Sequence, residues 1–298
     1  MEIKNVTVFG AGTLGAQIAF HTAFRNFNIR LHDVHDEILQ QAQQKSVSLA
    51  NIYQQDLGVS RQETDSAFQR LSYTTDMDEA VKDADLIIEA IPEDLQVKID
   101  FYQQLGKAAP EKSIFCTNSS TLLPSQMASA TGRPERFLAL HFANQIWRLN
   151  TAEIMGHSGT DPEVYATVVS FAKAIGMITF EIKKEIGGYI LNSLLIPFLG
   201  SANSLYYNEV ADYQTIDKCW MAATNSPMGP FGIIDIIGLT TTYNVKKLKG
   251  SMTGNEEDLK AAQFLKENFL DKGKLGAASG EGFYKYPNPA YRDPDFLK

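Results

Sequence analysis

Short apolar segments alternate with helical patterns over the first part of the chain. The segments with a strand-like pattern are residues 4–9, 28–33, 85–88, 114–116, 137–141, 153–155 and 177–182. Most of them are separated by apolar residues at helical spacing, as in residues 13–25, 94–108 and 162–174. Strands that alternate with helices predict an α/β fold, in which helices cover both faces of a mostly parallel sheet.

The pattern changes near residue 185, where two glycines precede a series of helical segments. Apolar side chains recur at helical spacing in residues 189–207, 216–223, 233–241 and 256–270. We therefore predict two domains, one with the sheet over residues 1–184 and an all-helical one over residues 185–298. The first of these helices is strongly apolar, which fits a buried core helix or, as the next interpretation, a subunit interface.

Composition and charge narrow the classes of function. The 298 residues are 44% hydrophobic and 21% charged, which is typical of a globular chain of about two domains. Because 35 acidic residues exceed 27 basic ones, nucleic acid is not expected as a partner. We expect no membrane span and no export, hence a cytoplasmic protein. Cys116 and Cys219 lack a ligand-like spacing, which predicts free thiols and no metal site.

A glycine-rich turn joins the first strand to the first helix. Residues 10–15 match the GxGxxG pattern, and Asp33 ends the next strand, 21 residues after Gly12. Gly10 permits a tight turn, Gly12 lets a pyrophosphate approach the backbone, and Gly15 lets the helix pack on the strand. The acidic residue would bind ribose hydroxyls and repel a 2′-phosphate, which favours NAD over NADP. The alternatives are FAD or a structural turn with incidental glycines.

One of the five histidines is placed for proton transfer. His141 ends a strand, and ligands gather at the carboxyl ends of strands in open α/β sheets. Hydride chemistry on a hydroxyl group needs such an acid–base residue near neutral pH. Glu153, in the next strand, could orient the imidazole, or it could be a solvated residue at a strand end. The other histidines, at positions 21, 32, 35 and 157, are interpreted as structural or solvated.

Two further polar positions are candidate substrate contacts. Residues 118–121 follow the strand that ends at Cys116, and their hydroxyl groups could position a substrate oxygen or cap the next helix. Asn192 interrupts an apolar helical face, where a polar side chain needs a partner. A hydrogen bond between helices is the alternative for that residue.

Together these residues resemble the 3-hydroxyacyl-CoA dehydrogenase family over nearly the whole chain. The likeness lies in ordered motifs at residues 10–15, 84–93 with Lys98, 117–120, 141–144 with Glu153, 188–192, 229–231 with Asp235 and 238–239, and 280–284. The chain is also similar to the diketoreductase branch, in residues 117–125, 140–144 and 192–195.

The resemblance implies an enzyme that uses NAD to interconvert a 3-hydroxyacyl substrate and its 3-oxo form. It implies that His141 is the general acid/base, that Glu153 is its partner, and that Ser120 and Asn192 hydrogen-bond the substrate oxygen. It further implies a Rossmann-type NAD-binding domain and a helical domain that forms a homodimer. The residues implied at the NAD and substrate region are Gly10, Gly12, Thr13, Leu14, Gly15, Asp33, Glu93, Lys98, Ser120 and Asn144.

The chain departs from the family in charge and in one loop. CoA-binding members carry lysines on the helix after the ribose-binding acid, whereas the helix predicted there in this chain, residues 36–60, contains a single lysine, Lys45, against Asp36, Glu37 and Asp56. A CoA diphosphate finds little positive charge there, so free β-keto acids or esters are the alternative substrates. Trp147 and Arg148 replace small apolar residues and could reshape the pocket, Arg148 by pairing with a carboxylate. The alternative for these two residues is a core tryptophan and a surface arginine. The alternative for the whole chain is a non-catalytic protein built on this fold.

Overall fold

A computed structural model describes residues 2–298, apart from the side chain of residue 252. The chain divides after Ile190 into two compact units. Residues 185–190 pack within the first unit through several hydrogen bonds, two of which are accepted by carboxylates. The backbone N–H of Ser125 donates to Glu185 at 2.7 Å, and that of Ile190 donates to Glu153 at 2.9 Å.

The first unit is built on one sheet of eight strands in the order β3-β2-β1-β4-β5-β6-β7-β8. All neighbouring strands are parallel except β6 and β7, which confirms the predicted mostly parallel α/β fold. The short strand β3 was not predicted. The strands are β1 (Asn5–Phe9), β2 (Asn28–His32), β3 (Leu71–Thr74), β4 (Leu86–Glu89), β5 (Ile114–Thr117), β6 (Phe137–Phe142), β7 (Thr151–Met155) and β8 (Ile178–Ile182).

Helices cover both faces of this sheet. Successive residues of a strand point to opposite faces. Val8 and Phe9 of β1 thus belong to separate apolar clusters. The helix predicted over residues 36–60 ends earlier, at Gly58 in the left-handed conformation (φ 66°). The helices of this unit are α1 (Thr13–Phe24), α2 (Asp36–Leu57), α3 (Arg61–Phe68), α4 (Met77–Val81), α5 (Leu95–Ala108), α6 (Pro124–Met127) and α7 (Pro162–Ala174).

The second unit is helical, as predicted, and has its own apolar core. Its helices are α8 (Tyr189–Tyr207), α9 (Tyr213–Thr224), α10 (Pro230–Ile237), α11 (Leu239–Thr253) and α12 (Glu256–Asn268), of which α8 begins in the first unit. The prediction of one helix over residues 233–241 was wrong, because Gly238 (φ 96°) ends α10 and separates it from α11. Within residues 2–298 we find no helix with the length and apolar character to cross a bilayer.

Two buried carboxylates hold the C-terminal segment in this core. Asp235 accepts the backbone N–H groups of Phe283 and Tyr284, both at 2.8 Å. Asp217 accepts the N–H of Phe231 and the hydroxyl of Tyr284, both at 2.9 Å. Burial outweighs these hydrogen bonds and raises the pKa of Asp235 to about 6. The motifs near residues 229–239 and 280–284 therefore stabilise the helical unit.

Candidate active site

The glycine-rich turn lies at the carboxyl end of β1, where the strand order reverses between β2 and β4. Gly10 has φ 94°, and a Cβ atom there would lie 2.4 Å from the carbonyl oxygen of Ala90. A Cβ atom on Gly15 would lie 1.8 Å from the carbonyl oxygen of Gly10. Around Gly12, by contrast, a Cβ atom would meet no atom within 4 Å. Packing therefore requires glycine at positions 10 and 15, whereas Gly12 leaves open space for a ligand.

The first turn of α1 faces this open space. Gly12 is the N-cap residue, so no side chain caps the first N–H groups of the helix, and Thr13 beside it is exposed. The N–H groups at a helix N-terminus favour an anionic phosphate. Asp33 follows β2 and accepts the N–H of Ala11 at 2.9 Å, which brings its carboxylate to the turn. Half-buried Leu14 packs on the sheet core. These residues fit a pyrophosphate and an adenosine ribose, as in NAD.

His141 lies at the centre of a chain of hydrogen bonds. Its Nε2 is 3.1 Å from the hydroxyl oxygen of Ser120, and its Nδ1 is 3.1 Å from a carboxylate oxygen of Glu153. His141 on β6 and Glu153 on β7 are direct partners across the antiparallel pair. Both side chains are buried, with relative exposures of 7% and 6%. A carboxylate oxygen accepts, so in the neutral imidazole Nδ1 carries the hydrogen and the Nε2 lone pair faces Ser120.

The loop that carries Ser120 is held by a single carboxylate. One oxygen of Glu93 accepts the backbone N–H of Ser120 at 3.0 Å, the hydroxyl of Ser119 at 2.6 Å and two groups of Thr121. Burial acts to raise the pKa of Glu93. The hydrogen bonds from Ser119 and Thr121, together with the Lys98 charge, outweigh burial and keep this pKa below its usual range. Glu93 is therefore anionic at neutral pH and orders the loop.

Lys98 is almost completely buried, with 1% of its side chain exposed. Its ammonium group pairs with the buried carboxylate of Glu89 at the end of β4, and lies 3.5 Å from Glu93. Glu89 also accepts the hydroxyl groups of Tyr102 and Thr117. This ion pair joins α5 to the carboxyl ends of β4 and β5, next to Glu93. Its part in cofactor binding stays a prediction.

Four further positions that the sequence singled out lie in the loop after β6 and on α8. Asn144 is exposed in the loop after β6, and Asn192 is half-buried on α8 in the second unit; their roles stay predictions. Trp147 and Arg148 both bind Asp56 on α2, through an indole N–H at 2.7 Å and a guanidinium nitrogen at 3.0 Å. Arg148 thus pairs with a carboxylate of its own chain.

His21 is a structural residue, as its position inside α1 predicted. One ring nitrogen lies 2.7 Å from the hydroxyl of Tyr53, and the other lies 2.7 Å from the carbonyl oxygen of Ile175. Burial lowers the pKa of His21 to about 4 and outweighs the hydrogen bond that the ring donates to the carbonyl oxygen of Ile175, which acts to raise this pKa. The residue is therefore neutral, with both ring nitrogens occupied by the fold.

Sequence reasoning missed one residue that touches this site. The aromatic ring of Tyr189 stacks on the His141 imidazole, with ring centroids 4.4 Å apart and planes 13° apart. The available signal was the glycine pair at residues 187–188, which marks an unusual turn directly before Tyr189.

Comparison with known proteins agrees with this geometry. The models of the 3-hydroxyacyl-CoA dehydrogenase NAD-binding domain and C-terminal domain match residues 5–186 and 188–286. A solved diketoreductase structure is 50% identical, covers 96% of this chain and all of its own, and superposes with a TM-score of 0.91. Among curated relatives, a probable 3-hydroxybutyryl-CoA dehydrogenase of Bacillus subtilis is 31% identical, covering 96% of this chain and 98% of its own. The mitochondrial hydroxyacyl-coenzyme A dehydrogenase of Homo sapiens is 32% identical, covering 95% and 91%. The chain therefore belongs to the 3-hydroxyacyl-CoA dehydrogenase family of NAD-dependent oxidoreductases.

Proposed function

We propose that the protein interconverts a 3-hydroxyacyl compound and its 3-oxo form by hydride transfer. The observation that carries this proposal is the chain of hydrogen bonds from Ser120 through His141 to Glu153. It ends at the carboxyl edge of a sheet whose glycine turn fits NAD. A proton acceptor beside a nucleotide site is the arrangement that oxidation of a secondary alcohol requires.

The chain's own residues handle the proton. During oxidation, the Nε2 of His141 takes the proton from the substrate hydroxyl, and during reduction it returns that proton to the carbonyl oxygen. When bound, NAD would supply the hydride acceptor for oxidation, and NADH would supply the hydride donor for reduction. Glu153 keeps hydrogen on Nδ1 and stabilises the imidazolium that forms after proton transfer. Burial of both side chains strengthens that interaction, because less water screens the charges.

Hydrogen-bond donors complete the proposed site. Ser120 and Asn192 donate to the substrate oxygen as negative charge develops on it, which is worth about 3–4 kcal/mol for one donor. For the NAD region we propose the residues implied by the family resemblance, which are Gly10, Gly12, Thr13, Leu14, Gly15, Asp33, Glu93, Lys98, Ser120 and Asn144.

A second candidate function is reduction of β-dicarbonyl compounds that carry no CoA. It is favoured by the 50% identity to the diketoreductase structure. It is also favoured by charge, because α2 carries one basic residue, Lys45, against three acidic ones, Asp36, Glu37 and Asp56. A CoA diphosphate gains little from such a helix.

The acyl carrier can be tested by following NADH oxidation at 340 nm with purified protein. Acetoacetyl-CoA and a β-keto ester are compared at equal concentrations. A higher kcat/KM for the thioester supports the hydroxyacyl-CoA function, and a higher value for the ester supports the diketoreductase function. Binding of NADH without turnover of either compound would contradict both and favour a non-catalytic protein.

We also propose that the protein is a homodimer. Apolar side chains of the second unit are exposed, including Leu194 (68%), Ile196 (50%) and Ile236 (44%). Contiguous exposed apolar side chains are typical of association surfaces, and we propose that these residues belong to one. Sedimentation velocity should give a dimer for wild type and a monomer for Leu194→Glu, whereas a wild-type monomer at micromolar concentration would contradict this proposal.

A cytoplasmic location is the last part of the proposal. Both cysteines are free, with Cys116 buried and Cys219 exposed. A free exposed thiol is typical of a reducing compartment. Fractionation of the native cell, with the protein detected by antibody, tests this location, and recovery with organelles or culture medium would contradict it.

A further inference from the structure

Tyr189 makes two contacts that converge on the proposed catalytic residues. It is fully buried, and its ring lies nearly parallel to the His141 imidazole, with 4.4 Å between centroids. Its hydroxyl donates to the carbonyl oxygen of Ser119 at 2.7 Å. We infer that Tyr189 is a positioning residue that fixes the plane of the His141 ring, an inference that rests on the proposed acid–base function.

The backbone on either side of Tyr189 contacts the other two members of the hydrogen-bonded chain. The N–H of Gly188 donates to the carbonyl oxygen of Ser120 at 3.2 Å. The N–H of Ile190 donates at 2.9 Å to the Glu153 oxygen that does not face His141. One short segment, residues 188–190, therefore touches Ser120, His141 and Glu153 together.

The conformation of this segment is unusual for its sequence. Tyr189 has φ 54°, in the left-handed region that residues with a side chain rarely adopt, and Gly188 before it has φ 85°. Strained backbone of this kind persists only where surrounding contacts hold it, and such strain clusters at functional sites. The ring stack and the hydroxyl hydrogen bond are among the contacts that hold Tyr189.

The stack supplies a constraint that the hydrogen bonds leave open. The contacts of Nδ1 with Glu153 and of Nε2 with Ser120 hold the two ring nitrogens, but the imidazole can still rock about the line that joins them. A flat aromatic surface against one face of the imidazole removes that motion and keeps Nε2 aimed at Ser120. Misplacement of a reacting group by about 1 Å can cost about 100-fold in rate. The ring of Tyr189 should therefore affect turnover more than cofactor binding.

Two substitutions separate the ring from the hydroxyl. Tyr189→Leu removes the stack and keeps an apolar side chain, so we expect kcat to fall about 10- to 100-fold. We expect KM for NADH to stay within about twofold, because the ring contacts His141 and not the nucleotide turn. Tyr189→Phe keeps the stack, and its kcat should stay within about threefold of wild type. Retention of wild-type kcat in Tyr189→Leu would overturn the inference.

Tyr53→Leu is the matched control for lost packing. Tyr53 is equally buried, on α2, where its ring packs on Phe20 and its hydroxyl binds His21. If both tyrosines had only a structural role, both variants would lose thermal stability, and both would keep the wild-type kcat below the unfolding temperature. The inference instead predicts that kcat falls only in Tyr189→Leu. Equal kcat values in the two variants would count against positioning.

A spectroscopic measurement tests the stack without turnover. An aromatic ring shifts the proton resonances of a ring stacked on it, so the His141 ring protons of wild-type protein should be displaced upfield. His141→Gln identifies the resonance by its loss. The displacement should persist in Tyr189→Phe and vanish in Tyr189→Leu. Its absence from wild type would refute the stack, even if Tyr189→Leu does not fold. Wild-type protein with the displaced resonance but no turnover would instead refute the proposed function.

Discussion

Replacing His141 with alanine should lower kcat by about 10²- to 10⁴-fold, which is the usual contribution of a positioned acid–base group. This loss corresponds to roughly 3–5 kcal/mol of transition-state stabilisation. The alanine cannot take the hydroxyl proton, and it leaves Ser120 and Glu153 without the nitrogens that they face. NADH affinity should stay within about twofold, because the glycine turn and Asp33 are untouched. The absorbance assay of NADH oxidation measures kcat, and fluorescence titration with NADH measures its affinity.

His157→Ala is the control for this experiment. His157 lies after β7, and its ring nitrogen contacts the carbonyl oxygen of Pro134 at 2.9 Å, outside the proposed site. Its activity should equal that of wild type. If His141→Ala turned over substrate as fast as His157→Ala, the assignment of His141 as the acid–base residue would be wrong.

The parts of the fold that the sequence predicted rest on local signals. The glycine turn after β1 and the alternation of strands and helices can be predicted from residues that are close together in the sequence. His141 was identified because it ends a strand, and Glu153 because a second strand follows within a short loop. The structure adds the antiparallel register that makes these two residues direct partners.

Features that depend on distant packing could not be predicted. β3 is four residues long and half-exposed, so its pattern is too weak to separate it from a loop. Nothing near Lys98 in the sequence indicates that its side chain is buried against Glu89, because that contact needs β4 and α5 to pack together. The stack of Tyr189 on His141 likewise depends on two backbone angles that a sequence pattern does not encode.

Replacing Lys98 with methionine should lower the free energy of unfolding by about 3–5 kcal/mol, because it leaves a buried carboxylate without its counter-charge. Glu89 has no exposed surface, and its remaining partners are the hydroxyl groups of Tyr102 and Thr117 and the N–H of Ile91. Hydrogen bonds from neutral groups do not replace an ammonium ion in a low-dielectric interior. Urea unfolding at pH 7, followed by circular dichroism, measures the change.

The double variant Glu89→Gln with Lys98→Met separates the lost charge from lost packing. Removing both charges should recover most of the stability, to within about 1–2 kcal/mol of wild type, because a buried pair often contributes little net energy. Added salt should not rescue the single variant, since ions in solution screen buried charges weakly. If Lys98→Met unfolded at the same urea concentration as wild type, Glu89 would not be a buried anion. The ion pair would then not be what holds α5 against the carboxyl ends of β4 and β5.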